Sequence, residues 1–296
     1  MHPEYNSGAM SNKVAIVTDS TAYLPEEILK QYNISITPLS VIWGDEIYRD
    51  GVDILPVDFY KRLATSKTMP TTSQVTPAVM QSTFESLLEQ GCDVLGIFLS
   101  SKISGTFQSA LQARDLIAGA ANKIALVDSL WTTMAMGMPV LTAARAAEAG
   151  ENLLECKKVA ENACTHMGVL FVMETLEFMR RGGRIGGAQA LLGSVLNIKP
   201  VLEMRDGVIE AVDKVRTKQK AIQRAIDVVS ERIKGNEPIR IAVTHANAET
   251  DALSMLELAR KEFSPVETFL SPLSPVIGTH TGPGTVALNY MSGVSE

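Results

Sequence analysis

The residues best suited to chemistry in this chain are neutral hydrogen-bond donors. Thr72, Ser73, Ser100, Ser101, Ser104, Thr106, Thr279, His280 and Thr281 crowd into three short stretches, TTSQ, SSKISGT and THTGPG. All three read as strand-end or glycine-containing loops. SSKISGT, Ser100–Thr106, is the most explicit. The preceding CDVLGIFL (Cys92–Leu99) is a short apolar run of the kind that forms a buried strand. The following Phe107–Ala118 spaces Phe107, Ala110, Leu111, Leu116 and Ile117 close to helical periodicity. Where a strand hands over to a helix, unpaired N–H groups and the helix dipole favour an anion. Taken alone, the stretch leaves a plainer reading open, in which Ser104 only caps the helix.

Several catalytic chemistries need more than these residues supply. Ser with His suggests a serine-type esterase using Ser104 and His280. A nucleophile elbow would read GxSxG, however, whereas Ser104 sits in ISGT and no acid follows in a recognisable order. Asp19 and Asp128 end strands, but no third ligand groups with them, so neither a metal nor another cofactor is expected. Arg180, Arg181 and Arg184 lie among four glycines, yet no Lys-Ser or Lys-Thr follows at the spacing of a phosphate-binding loop. Donors without nucleophile machinery describe binding, with no catalytic residue.

A long-chain carboxylic acid fits such donors. Burial of its tail gains about 0.8 kcal/mol per CH₂, so the head group need only escape the cost of desolvation. Hydroxyls and an imidazole N–H, at ~1.5–3 kcal/mol for each charge-assisted bond, offset that cost.

Composition narrows the partners. With 296 residues and 46% hydrophobic content the chain is long enough for about two domains. A net charge of -6 and a pI near 5.4 argue against a nucleic-acid surface. No apolar run is long enough to span a bilayer and no secretory signal opens the sequence, so a cytoplasmic address is expected. Cys92, Cys156 and Cys164 show no metal or disulfide spacing and read as core thiols. Residues 1–12 read as a leader or a disordered, frayed terminus.

The elements that must position the donors alternate. Val14–Val17 reads as a buried strand ending in Thr18, Asp19 and Ser20, and Pro25 opens a helix. Ile34–Trp43 reads as extended, Pro56–Leu63 as a short helix, and Met69–Gln74 as a loop. Thr76 and Pro77 open a helix over Ala78–Gln90. Lys123–Val127 is a further strand, and Trp131–Ala149 and Leu153–Met167 are helices. Strand–helix alternation predicts a parallel sheet wrapped by helices over 13–165. After Gly168 a strand Val169–Met173, a hairpin turning at Asp206-Gly207, a helix Thr217–Lys234, a strand Ile239–Thr244 and a helix Thr250–Phe263 suggest a second α/β domain over 166–296. Met134, Met136 and Met138 are either wall of a ligand tunnel or ordinary core.

Five motifs taken together carry a resemblance. TDSTAYLP (Thr18–Pro25), TSQ (Thr72–Gln74), LSSKISGT (Leu99–Thr106), LEFMRRGGRI (Leu176–Ile185) and THTGPG (Thr279–Gly284) occur in the order found in the DegV family, across Lys13 to about Tyr290. The chain resembles that family of bacterial fatty-acid-binding proteins. The resemblance implies two α/β domains, an N-terminal parallel-sheet domain and a C-terminal mixed one, with a lipid tunnel at their interface. It implies that Thr72, Ser104 and His280 hold the ligand carboxylate, with Ser73, Ser101, Gly105 and Thr281 in second rank. It also implies a fatty acid kinase as partner, facing Arg184 and Arg216, with catalysis in that kinase and at most transient membrane contact. One departure is Val75, where many members carry Pro after TSQ.

Overall fold

The computed structural model describes residues 12–192 and 198–295. The expected leader therefore lies outside the described residues except for Asn12, whose side-chain amide donates to Asp93 at 3.0 Å.

Strand β1 (Val14–Asp19) is buried at every residue, as a short apolar run flanked on both sides requires. Helix α1 (Glu26–Gln31) follows. The single extended segment expected next is two strands in two sheets, β2 (Ser35–Thr37) and β3 (Ser40–Trp43). Pro38, which has no N–H for a ladder, occupies the break. Gly44 and Asp45 turn β3 into β4 (Glu46–Arg49), and α2 (Pro56–Thr65) follows. The expected loop over Met69–Gln74 contains strand β5 (Thr71–Ser73), which pairs with β3. Thr76 caps α3 (Pro77–Glu89) by accepting the Val79 N–H, as its position predicts.

Strand β6 (Asp93–Phe98) leads through SSKISGT to α4 (Thr106–Leu116), whose N-cap is Gly105 rather than Ser104. Strand β7 (Ile124–Asp128) leads to α5 (Met134–Glu148) and α6 (Leu153–Thr165). Helix α5 starts three residues later than its periodicity suggests, because Leu130 and Thr133 both take a positive φ of 59°.

The second half runs β8 (Met167–Val172), α7 (Glu177–Arg181), β9 (Lys199–Arg205), β10 (Val208–Val215), α8 (Lys218–Ile233), β11 (Ile239–His245), α9 (Glu249–Phe263), β12 (Glu267–Pro272), α10 (Pro275–Thr281) and β13 (Val286–Ser292). The β9–β10 turn has φ of 49° at Asp206 and 81° at Gly207, the positive pair that a type I′ hairpin needs. Strand β12 and helix α10 were not legible in the sequence. The THTGPG threonines and His280 sit on that helix, not on a loop.

Three sheets result. The first is parallel, in the order β2-β1-β6-β7. The second is mixed, in the order β10-β9-β8-β13-β11-β12, with β11 and β12 parallel and the other neighbours antiparallel. The third is a small antiparallel flap, β4-β3-β5.

Helix α5 packs against β1 and β6 of the parallel sheet and against β8, β11 and β13 of the mixed one. Residues 134–144 are consequently buried on every face, which is why this segment is apolar all round instead of striped. Met134, Met136 and Met138 belong to that core and are not among the residues lining the interface cavity. Of the cysteines, Cys156 is buried, while Cys92 and Cys164 are partly exposed.

Candidate functional site

The carboxyl ends of β1 and β6 set the floor of the site. Asp19, at the end of β1, is fully buried and accepts from the Leu99 N–H at 2.9 Å and from the Thr21 N–H and hydroxyl at 2.9 and 2.7 Å. Those bonds tie the two strand ends together beneath Ser100–Gly105. Burial raises the carboxyl's pKa, and the three donors work against that rise.

Above this floor lies a cavity of about 200 Å³, partly open to solvent. Its first wall comes from the N-terminal half, including Leu39, Thr72, Leu99 and Ser104. Its second comes from the C-terminal half, including Phe171, Met179, Ile209, Ile277 and His280. The lining is largely apolar, and its polar residues come from Gln74, Thr132, Arg184 and the convergence of β5, the SSKISGT turn and the end of α10.

That convergence brings together the three residues expected to hold a carboxylate. Thr72 Oγ1 and His280 Nε2 share a hydrogen bond of 2.8 Å across the two halves. Ser104 Oγ lies 3.1 Å from Thr106 Oγ1 and accepts the Thr106 N–H at 3.3 Å. Burial, followed by the positive charge of Arg184, pushes the His280 pKa down to about 4. The imidazole is therefore neutral at pH 7, and its Nδ1 has no partner among the described residues.

A hydrolytic triad is not what these atoms build. His280 Nε2 pairs with Thr72 rather than Ser104, and among the described residues no carboxylate orients Nδ1. Nor do the described residues gather three or more His, Cys, Asp or Glu side chains as a metal site.

The second-rank residues divide. Ser73, Gly105 and Thr281 line the cavity. Thr281 donates its hydroxyl to the Ile277 carbonyl one helical turn back, as Thr279 does to Pro275, so neither hydroxyl proton is free for a ligand. Ser101 is exposed and does not line the cavity. Ser100 is buried and donates to the Gly207 carbonyl at 2.7 Å, locking the turn to the β9–β10 hairpin.

The two arginines also separate. Arg216 is exposed and does not line the cavity. Arg184 stands on the cavity wall, with Nη1 donating to the Gly182 carbonyl at 2.6 Å and Nε reaching across to the Ile103 carbonyl at 3.3 Å. Together with Thr72 and His280 it also lines an outer cleft of about 280 Å³ that includes Phe178 and Arg181. The Thr72–His280 pair thus forms part of the wall of both spaces.

Helix α10 is held from its other end by a buried group that the sequence did not single out. Asp50 accepts from the Ser274 and Ser20 hydroxyls at 2.7 Å each and from the Val276 N–H at 3.3 Å. Tyr23 donates to Ser274 at 2.8 Å. Burial pushes the Asp50 carboxyl up to about 6, with those donors pulling the other way. Gln74, inside the TSQ motif, is a further missed lining residue; it donates to Ser109 at 2.9 Å and packs against Gly105. Val75, the departure from the motif, is buried in the apolar core.

An α/β protein of three sheets that holds a largely apolar cavity between its halves, with neutral donors gathered at one wall, is the class this architecture defines. Comparison with known proteins makes it specific. A model described as "Uncharacterised protein, DegV family" matches residues 13–293, and the chain belongs to that family. A DegV domain-containing protein of Listeria innocua is 40% identical over 282 residues, covering 95% of this chain and 99% of the relative. Among solved structures, a DegV family protein from Thermus thermophilus, described by its fatty acid binding, superposes with a TM-score of 0.89. It is 33% identical and covers 95% of this chain and 99% of its own. DegV of Bacillus subtilis, described as a fatty acid binding protein, has a TM-score of 0.86 at 34% identity, covering 95% and 100%.

Proposed function

We propose that this protein is a non-enzymatic carrier that buries the tail of a long-chain fatty acid in the interface cavity. Thr72, Ser104 and His280 hold its carboxylate, and Ser73, Gly105 and Thr281 complete the surrounding wall. The observation that carries this proposal is an apolar cavity whose polar wall is the Thr72–His280 pair. A neutral imidazole and two hydroxyls offer donors without a competing nucleophile–base contact. The description of the Thermus and Bacillus relatives as fatty acid binders supports it.

The family resemblance extends the proposal to a fatty acid kinase that receives the bound acid and forms an acyl phosphate. On the same reading the exchange takes place in the cytoplasm. Among the described residues no helix is long and apolar enough to cross a membrane. Arg184, which lines both the cavity and the outer cleft, and Arg216, on the surface, are the cations we assign to that partner. The division of the chain into units over 13–165 and 166–296 remains part of the same proposal.

Native mass spectrometry followed by lipid extraction is the test. A co-purified acyl chain in one-to-one ratio is expected, and release of no lipid, with no uptake of added fatty acid, would reject the assignment. Turnover of a chromogenic ester that disappears in Ser104→Ala would instead favour the esterase.

A further inference from the structure

Asp50 is only 1% exposed, and its carboxylate is bonded from two separate parts of the fold. Ser20, just after β1, donates to it from the parallel sheet, and Ser274 and the Val276 N–H donate from the start of α10. Its backbone belongs to a third part. The Asp50 N–H donates to the Leu39 carbonyl at 2.9 Å, directly beyond the β3–β4 pairing of the flap. Asp50 thus joins the parallel sheet, the flap and α10.

A buried carboxylate is costly unless it is well bonded, and a helix start does not require one. Ser274 precedes α10 and is of a type that commonly caps its own helix, yet its hydroxyl donates to Asp50 and makes no cap bond. A local cap would stabilise α10 alone. A carboxylate brought from the flap also fixes where α10 lies against the flap. That relation matters at the polar wall of the cavity. Val41 pairs with Tyr48 on one side and Thr72 on the other, so Thr72 shares one small sheet with the strand that delivers Asp50. His280 follows Val276 by one helical turn, about 6 Å along the axis. The Thr72–His280 bond therefore spans the same two elements that Asp50 joins.

We infer that Asp50 is a positioning residue for ligand binding, setting the flap against α10 so that Thr72 and His280 meet at the cavity wall. This inference rests on the fatty-acid reading above. Asp50 does not line the cavity and acts through the pair. Contacts from α2 hold α10 in the core independently. The Tyr60 hydroxyl donates to the Leu273 carbonyl at 3.2 Å, and a Cβ at Gly278 would fall 2.5 Å from the Tyr60 hydroxyl oxygen. Loss of the carboxylate should loosen the alignment of α10 without unfolding it.

The test is a double-variant cycle read by displacement of a fluorescent fatty acid, together with an NMR titration of the His280 ring in the apo protein. Asp50→Ala should weaken binding about three- to tenfold in the wild-type background, and less than about twofold in the His280→Ala background. In Asp50→Ala the His280 titration should move up from about 4 toward the ordinary 6.5, as the ring gains solvent. Asp50→Asn keeps an acceptor for the Val276 N–H and should return both readouts most of the way to wild type. An equal affinity loss in both backgrounds, or an unmoved His280 titration in Asp50→Ala, overturns the inference. Should Asp50→Ala not fold, Ser274→Ala, which removes a single donor from the carboxylate, takes its place, with both readouts moving in the same directions. If wild type binds no fatty acid, the carrier reading fails, while the His280 titration still decides whether Asp50 positions the ring.

Discussion

Thr72 and His280 are separated by 208 positions in the chain and by 2.8 Å between Oγ1 and Nε2. Thr72 arrives on the edge strand of the β4-β3-β5 flap, and His280 on the last turn of α10. Because each is the other's partner, each change also orphans a polar atom. Thr72→Val and His280→Ala should each weaken fatty-acid binding about ten- to hundredfold, from ~1.5–3 kcal/mol for a charge-assisted bond. The double variant should lose less than the sum. Displacement of a fluorescent fatty acid measures all three, and strictly additive losses would show that the pair does not act as a unit. If Ser104→Ala combined with His280→Ala left affinity unchanged, the carboxylate assignment would fail.

Gly182 offers a purely steric probe of the same ring. A Cβ there would fall 2.2 Å from His280 Nδ1, while the backbone, at φ −74°, suits any residue. Gly182→Ala should therefore displace the imidazole and cut affinity to about the level of His280→Ala, by roughly 1.5 kcal/mol or more. Gly183 is the control. Its φ of 70° makes alanine cost ~1–2 kcal/mol, but nothing lies within 4 Å of the added carbon. Gly183→Ala should lower the melting temperature and leave affinity alone; equal affinity losses in both variants would refute the steric account.

Arg184 and Arg216 should behave differently. Arg184 lines the cavity and its charge helps depress His280, so Arg184→Ala should raise the His280 pKa and weaken acid binding. Arg216 is exposed and away from the cavity lining, so Arg216→Ala should leave affinity unchanged while slowing kinase-dependent phosphorylation. A histidine NMR titration and a phosphorylation assay with the kinase separate the two. An unmoved His280 titration in Arg184→Ala would contradict the electrostatic assignment.

The pH dependence of apo-protein stability contains two opposing contributions at α10. His280 titrates near 4 when folded and near its ordinary 6.5 when unfolded, so its contribution is full above 6.5 and is lost as pH falls through 4. Asp50 titrates near 6 when folded and 3.8 when unfolded, so its contribution is full below 3.8 and is lost as pH rises through 6. Between about 4 and 6 the two oppose. Relative to wild type, Asp50→Asn should show a melting temperature that climbs more steeply with pH across this window, and His280→Asn one that climbs less or falls. Asp53, held near 2 by Arg49 against an ordinary 3.8, acts mainly below this window, whereas Glu177, held near 2 by Arg180 and Arg181 against an ordinary 4.5, adds a shared slope at its lower end that cancels in the comparison with wild type. Parallel melting curves for all three proteins would exclude these residues as the source.

Much of the architecture was legible because it depends on neighbours in sequence. Apolar runs such as Val14–Val17, the Thr76-Pro77 helix start and the Asp206-Gly207 turn each follow from local sterics and periodicity. Segments whose state is imposed from outside were not. Thr71–Ser73 is a strand because β3 pairs with it, and Ile34–Trp43 divides because its two ends join different sheets. Three residues of flap have no periodicity from which to predict them.

The same division applies to the site. The sequence by itself determined the donor inventory, its order along the chain and the alternation of strand and helix that brings those loops toward a sheet edge. Only the tertiary structure decided which donors remain available. Ser100, Thr279 and Thr281 donate to backbone carbonyls, Thr72 meets His280, and Arg184 reaches across to the Ile103 carbonyl. It also revealed Asp50 beneath α10. Residue type states what a side chain can donate; its partner is chosen by packing between segments far apart in sequence, and no local pattern encodes that choice.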